Sequence, residues 1–187
     1  MEKWGKKRSV KRRYDLTAKM YDERYSEEQE AKYKVALEIL ILHGHGAVFD
    51  VGCGSGMFFA YVANQTNIVI GLDISRELLL LAKERARNFG NVFLVLADAD
   101  HVPFRNGVFD YVFAFTVLQN MPSPAVTLME LQDSASPKAC FVITALKSAI
   151  SIEKFGRILW KAGLSVVSLR DDQALRCYVA SAVRSPN

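Results

Sequence analysis

Sulfur chemistry is nearly absent from this chain. Its three cysteines, Cys53, Cys140 and Cys177, form no C-x-x-C pair, so neither a disulfide framework nor a cysteine zinc site is expected. His43 and His45 flank Gly44 with nothing at metal-ligand spacing, and no metal site is expected. Long apolar runs are missing too. The stretch Val108–Val117 is broken by Asp110 and falls well short of the ~20 residues a membrane helix needs. The basic start is followed by the charged segment Tyr14–Arg24 instead of the apolar core of a signal peptide. These absences exclude membrane and secreted disulfide-rich classes and predict a cytoplasmic protein.

What is present is an ordinary globular composition, with half of the 187 residues apolar and a net charge of +4. One domain is expected at this length. The charge is unevenly spread. Residues 1–13 carry Lys3, Lys6, Lys7, Arg8, Lys11, Arg12 and Arg13 against Glu2, so this arm is +6 and the rest of the chain −2. The arm is expected to be either a solvated terminus or a phosphate-contacting segment in which Trp4 stacks on a base.

From residue 47 onward, short apolar runs alternate with helical patterns. Strands are expected at Ala47–Val51, Asn67–Ile74, Val92–Ala97, Phe109–Val117 and Cys140–Leu146, with helices at Gly56–Asn64, Arg76–Phe89 and Ser123–Asp133. Ser75 is the expected cap of the second of these helices. This alternation predicts an α/β fold, a parallel sheet with helices on both faces. After a helix at Ile152–Ala162, two strands at Leu164–Arg170 and Arg176–Val183 are expected to form an antiparallel hairpin, for seven strands in all. An amphipathic helix is expected at Glu27–Leu42. The expected layout is a basic arm at 1–13 and one domain at 14–187, with lid helices at 14–43 and the core at 47–187.

The strongest motif is Asp50-Val51-Gly52-Cys53-Gly54-Ser55-Gly56. A strand runs into an acid and three alternate glycines, and a helix pattern follows. Glycines permit the sharp turn and let a ligand lie against backbone; a purely structural turn is the alternative. Asp73 ends the second strand, where a carboxylate can accept both hydroxyls of a ribose. Asp98 follows the third strand, placed to accept from an exocyclic amine. The fourth strand runs through Phe115 and Thr116 into Gln119 and Asn120. All these loops fall at the carboxyl ends of parallel strands, where open α/β sheets bind ligands.

DVGCGSG, GLDIS, ADADHVPF and FDYVFAFTVLQN, in this order and spacing, resemble the successive motifs of class I S-adenosylmethionine-dependent methyltransferases of the type 11-like domain. The resemblance covers nearly the whole chain and implies a Rossmann-like seven-stranded sheet, mostly parallel. It implies S-adenosyl-L-methionine as cofactor, with Gly52, Cys53, Gly54, Gly56 and Asp50 around its methionine part. Asp73 with Ile74 would take the ribose, Asp98 with Ala99 the adenine, and Phe115 and Thr116 would border the methionine moiety. The segment Tyr14-Asp15-Leu16-Thr17-Ala18-Lys19-Met20-Tyr21-Asp22 resembles the family's Y-D-x-x-A-x-x-Y-D lead-in, which brings Tyr14 and Tyr21 over the cofactor.

No N-P-P-Y follows the fourth strand, which disfavours adenine amino or glutamine amide methylation, and no Pro-Cys nucleophile is present for cytosine C5. Gln119 and Asn120 are expected either to orient an acceptor, with Tyr21 beside them, or to cap the next helix; amides are not strong bases. Methyl transfer to RNA, especially tRNA, or another macromolecule is expected. A small-molecule methyltransferase and a non-catalytic cofactor-binding subunit are the alternatives. The third strand, Val92-Phe93-Leu94-Val95-Leu96, should be an exposed apolar edge. Some relatives bind a small zinc-containing activator subunit there, so such a partner is implied beside RNA, with self-pairing or coverage by the chain as alternatives.

Overall fold

The computed structural model describes residues 2–186, with side chains from residue 4 onward; the side chains of Glu2 and Lys3, part of the expected arm, lie outside the described residues. Seven strands form one sheet: β1 Ala47–Val51, β2 Ile68–Asp73, β3 Val92–Leu96, β4 Phe109–Ala114, β5 Ala135–Leu146, β6 Leu164–Arg170 and β7 Cys177–Arg184. Their order is β3-β2-β1-β4-β5-β7-β6. The first five are parallel, and β7 runs antiparallel to both β5 and β6. β1 and β4 lie side by side, but their connections leave in opposite directions. That topological switch point opens a crevice beyond their carboxyl ends.

β1 and β4 bury nearly every side chain, as strands covered on both faces must. Phe49, Val112, Phe141 and Leu128 belong to the core on one face, and Val48, Phe113, Phe58 and Val142 to that on the other. Helices α3 Phe59–Val62, α4 Arg76–Ala86, α5 Pro124–Ser134 and α6 Ile152–Lys161 follow the strands. Ser75 caps α4 by accepting from Leu78 N at 3.2 Å. Ahead of the sheet, α1 Glu2–Thr17 and α2 Tyr21–Ile39 are joined by a single 3-10 turn.

Several boundaries differ from expectation. The helix expected at Gly56–Asn64 shrinks to the four residues of α3 and a 3-10 turn, because Gly56 at φ 80° keeps the chain in a tight turn. β5 begins at Ala135 instead of Cys140; Pro137 is accommodated beside a register shift against Phe109 and Tyr111. α2 begins six residues earlier than the apolar pattern shows, since its first turns face a cleft instead of a core. α1 passes unbroken through residue 13, so the basic arm and the Tyr14 segment are one helix.

Candidate active site

The glycine loop is held to its neighbour by backbone. Gly52 N and Cys53 N both donate to Leu72 O, at 2.7 and 3.0 Å. Gly54 sits at φ 58°, and a Cβ there would lie 3.3 Å from the Tyr21 hydroxyl. Gly54 N donates to Asp73 Oδ2 at 2.9 Å, and Ser75 N donates to Oδ1 at 2.8 Å. Each oxygen retains a lone pair for a further donor. Burial pushes the Asp73 carboxyl up against these backbone donors.

Beneath the loop, Asp50 is 2 % exposed and its Oδ2 has no hydrogen-bond partner. Burial, with Asp73 adding, pushes Asp50 up to about 8. Burial likewise raises the Cys53 thiol, then Asp50 and Asp73 raise it further. Cys53 is therefore a poor thiolate, and its contribution to the loop is through backbone.

α1 lies across this loop and the ends of β2 and β3. Lys7 Nζ reaches Asp98 Oδ2 at 2.6 Å and Asp100 Oδ2 at 2.5 Å. Burial opposes its charge, but Asp100 and Asp98 outweigh it and hold the ammonium above its ordinary range. Lys6 Nζ donates to Met121 O at 2.7 Å, and Ser75 Oγ donates to Asp15 Oδ1 at 2.6 Å. Arg13 donates to Asn120 Oδ1 at 3.0 Å, while Asn120 Nδ2 donates to the Tyr14 hydroxyl at 3.2 Å. α2 is pinned too: Asp22 accepts from Ser55 Oγ and from Arg85, both at 2.6 Å. Much of the arm's basicity thus points inward.

At the end of β4, Thr116 adopts φ 54°, a positive value for a β-branched residue. Thr116 N donates to Thr144 Oγ1 at 2.7 Å, and Thr116 O accepts from the side-chain amides of Gln119 and Asn120. Strain held this firmly points to a functional position. Gln119 and Asn120 lie on a 3-10 turn ahead of α5, and the α5 N-cap, Ser123, makes no side-chain cap bond. The two amides therefore brace Thr116 and do not cap the helix. Phe115 is buried, its ring 4.8 Å from Tyr33 and 4.9 Å from Phe58, and Ala99 is buried in the core.

Two spaces meet at Thr116. A narrow crevice of about 70 Å³ is bordered by Gly52, Gly54, Asp73, Ile74, Phe115 and Thr116 and closed by Val10 of α1. A wider cleft of about 440 Å³ opens on the other side, against Lys32, Gln119 and Tyr25. Tyr14, Tyr21, Thr116 and Asn120 border both. Tyr21 accepts from Gln29 Nε2 at 3.2 Å, and burial, then Tyr14, raises its hydroxyl far above the ordinary tyrosine range. It stays protonated and is no base.

Asp98 and Ala99 stand apart from the narrow crevice, with the Lys7 ammonium against Asp98. Sequence reasoning missed Lys7, Asp15, Thr144 and, on the cleft face of α2 that carries the expected Tyr21, the residues Glu28, Gln29 and Lys32. One signal for that face was available. Tyr21, Tyr25, Glu28, Gln29 and Lys32 recur at helical spacing, a polar and aromatic stripe of the sort that lines a site.

Residues 49–143, just over half of the chain, match the family described as "Methyltransferase domain". The chain is 30% identical over 142 residues to malonyl-[acyl-carrier protein] O-methyltransferase of Marinomonas sp., covering 75% of this chain and 52% of that one. It is 39% identical over 85 residues to 18S rRNA (guanine-N(7))-methyltransferase bud23 of Schizosaccharomyces pombe, covering 45% and 31%. The chain spans about half the length of the curated relatives it matches, or less. Its fold is like that of the methyltransferase in the complex between the Haloferax volcanii Trm112 activator and a methyltransferase, with TM-score 0.82, 18% identity and coverage of 95% and 98%. At that identity the likeness concerns the fold alone.

Proposed function

This chain belongs to the class I S-adenosylmethionine-dependent methyltransferases, whose cofactor is S-adenosylmethionine, and we propose that it transfers the cofactor's methyl group to an acceptor seated in the cleft beside Thr116. One observation carries this reading. Of the five buried polar atoms without partners among the described residues, Asp50 Oδ2 lies under the glycine loop, and Glu28 Oε1, Gln29 Oε1 and Gln119 Oε1 belong to residues lining the cleft. Buried acceptors left bare call for an explanation, and a donor-rich ligand on each side of Thr116 supplies one.

The residues fit the cofactor. Asp50 offers a buried carboxylate for an ammonium, with Gly52, Cys53, Gly54 and Gly56 giving close backbone approach to the methionine part. Asp73 and Ile74 would hold the ribose, Asp98 and Ala99 the adenine, and Tyr14, Tyr21, Phe115 and Thr116 the end next to the cleft. The fit requires α1 to shift, because 70 Å³ is far below the ~300–1,000 Å³ of ligand sites and Lys7 occupies Asp98. When bound, the cofactor supplies a methyl group already activated by its positively charged sulfur. The chain's own task is to orient the acceptor and exclude water. Tyr21, Gln119 and Asn120 do so without taking a proton.

The acceptor expected from the sequence is RNA, with tRNA foremost, and that reading stands beside a small molecule seated in the cleft. It is favoured by Arg8 and Arg12, exposed on α1 with no ion pair among the described residues, and by the bud23 relative. We also place a zinc-containing activator subunit at the edge strand β3, where Phe93 is 52% and Leu96 55% exposed. The three free cysteines accord with the cytoplasm, and no helix among the described residues is long and apolar enough to cross a membrane. Labelled-methyl transfer to total RNA, protein extract and metabolites, with and without an activator, tests these readings together. Binding of the cofactor with transfer to no pool would refute catalysis, and full activity as an isolated monomer would remove the activator.

A further inference from the structure

The cleft holds a charge with too little to do. Lys32 is 2% exposed, yet among the described residues its Nζ has polar contact only with Thr116 Oγ1 at 3.4 Å and Glu28 Oε1 at 3.5 Å. The second contact is an ion pair without a hydrogen bond, and Glu28 Oε1 accepts no hydrogen bond among the described residues. An ammonium presents three donors, so Lys32 is underused in a place where burying a charge is costly. Arg13 and Arg24 stand along the same cleft, giving three cations against the single carboxylate of Glu28. One side is aromatic: Tyr14 and Tyr21 lie edge to face at 6.1 Å, and Tyr21 and Tyr25 are tilted at 5.0 Å.

We propose that this cleft is a binding site for a small organic oxyanion, a carboxylate or an aryl or enol oxygen, held with its charge against Lys32 Nζ beside Thr116. The proposal rests on the methyl-transfer reading for its function, and it supplies what that reading lacks. Tyr21, Gln119 and Asn120 take no proton and the Glu28 carboxylate faces Lys32, so an acceptor that is ionised before it reacts suits the site. An opposite charge within ~4–6 Å lowers an acid's pKa by ~1–3 units, which raises the ionised fraction of a phenol or enol still neutral at pH 7 by up to ~10–1,000-fold, while a carboxylic acid is ionised already. Lys32 thereby holds the acceptor in its reactive form while the acceptor's proton leaves to water. The bare oxygens of Glu28, Gln29 and Gln119 suit a hydroxyl or amide elsewhere on the same ligand. The volume of about 440 Å³ is that of a small-molecule site.

Binding of benzoate, 4-nitrophenolate, neutral benzamide and inorganic phosphate to the full chain tests this, by ligand-detected NMR or calorimetry. The wild type should prefer benzoate or 4-nitrophenolate over benzamide by ~10-fold or more; the two anions distinguish carboxylate from aryl oxygen. Lys32→Met should bring that ratio to about one, and Lys32→Arg should keep it. The wild-type ratio reads the proposal even where Lys32→Met fails to fold. Equal binding of benzamide and both anions overturns it. So does a preference that survives Lys32→Met, or binding of phosphate alone, which would mark a nucleic-acid backbone contact. S-adenosylmethionine binding in the same samples separates the two ideas: its absence refutes the methyl-transfer reading and leaves the oxyanion preference standing.

Discussion

Replacing Asp50 with asparagine should stabilise the cofactor-free protein near neutral pH. In the unfolded chain Asp50 ionises near 3.8; in the fold it is pushed up to about 8 by burial, with Asp73 adding. Between these values the folded state holds a proton that the unfolded state has released. Stability is therefore greatest below pH ~4, falls as pH rises, and levels off above pH ~8. Each pH unit in the window is worth up to ~1.4 kcal/mol, so by pH 7 the accumulated penalty from Asp50 is ~2–4 kcal/mol once partial relaxation is allowed for. Asp73 is raised too and adds slope of the same sign, so the comparison with Asp50→Asn is what isolates Asp50. Urea unfolding of both proteins at pH 5, 6, 7 and 8 should give curves that diverge as pH rises, with Asp50→Asn the more stable. Cofactor binding should weaken in the same variant. Calorimetry at pH 7 in buffers of different ionisation heat should show the wild type releasing close to one proton on binding, as the ligand's ammonium ionises Asp50. Parallel stability curves, or binding without proton release, would refute the assignment of Asp50 as a neutral, unpaired carboxyl awaiting a cation.

Lys7→Met should tighten S-adenosylmethionine binding several-fold, because the ammonium no longer competes for Asp98, while loosening α1; calorimetry and limited proteolysis read the two effects, and weaker binding would count against competition. Asp73→Ala should cost ~1.5–3 kcal/mol of cofactor affinity through the lost ribose contacts, and unchanged binding would remove Asp73 from the site. Gly54→Ala should lower stability by ~1–3 kcal/mol, since φ 58° strains any side chain and Tyr21 stands in the way; a thermal midpoint equal to wild type would show that the loop relaxes. Asp22→Asn should cost less than ~1 kcal/mol of stability, its ion pair with Arg85 being about a third exposed, yet speed proteolysis of α2.

The inner strands were legible because a parallel strand buried on both faces reads as a continuous apolar run ended by Gly or Asp, as at Ala47–Val51 and Ile68–Asp73. The loops at their carboxyl ends followed from that placement, which is why Asp73 and Thr116 border one crevice. The shortness of α3 was hidden, since Phe59, Ala60, Tyr61 and Val62 carry a helical pattern that a positive φ at Gly56 cuts short. The inward turn of Lys6, Lys7 and Arg13 was hidden for another reason. A basic run reads as solvated until its carboxylate and carbonyl partners, 91 residues away for Asp98 and 115 for Met121, are brought beside it. Lys32 was obscured likewise, as charge on an amphipathic helix ordinarily faces water.

The fastening of α1 has a kinetic consequence. If the cofactor displaces α1 as proposed, its entry requires separating Lys7 from two carboxylates, Lys6 from Met121 O and Asp15 from Ser75, and these contacts re-form only once the site empties. Entry to the site is then timed by the breathing of one helix, on the microsecond-to-millisecond scale of lids. Added salt, which loosens the more exposed of these pairs, should speed that entry without altering the chemistry performed afterwards.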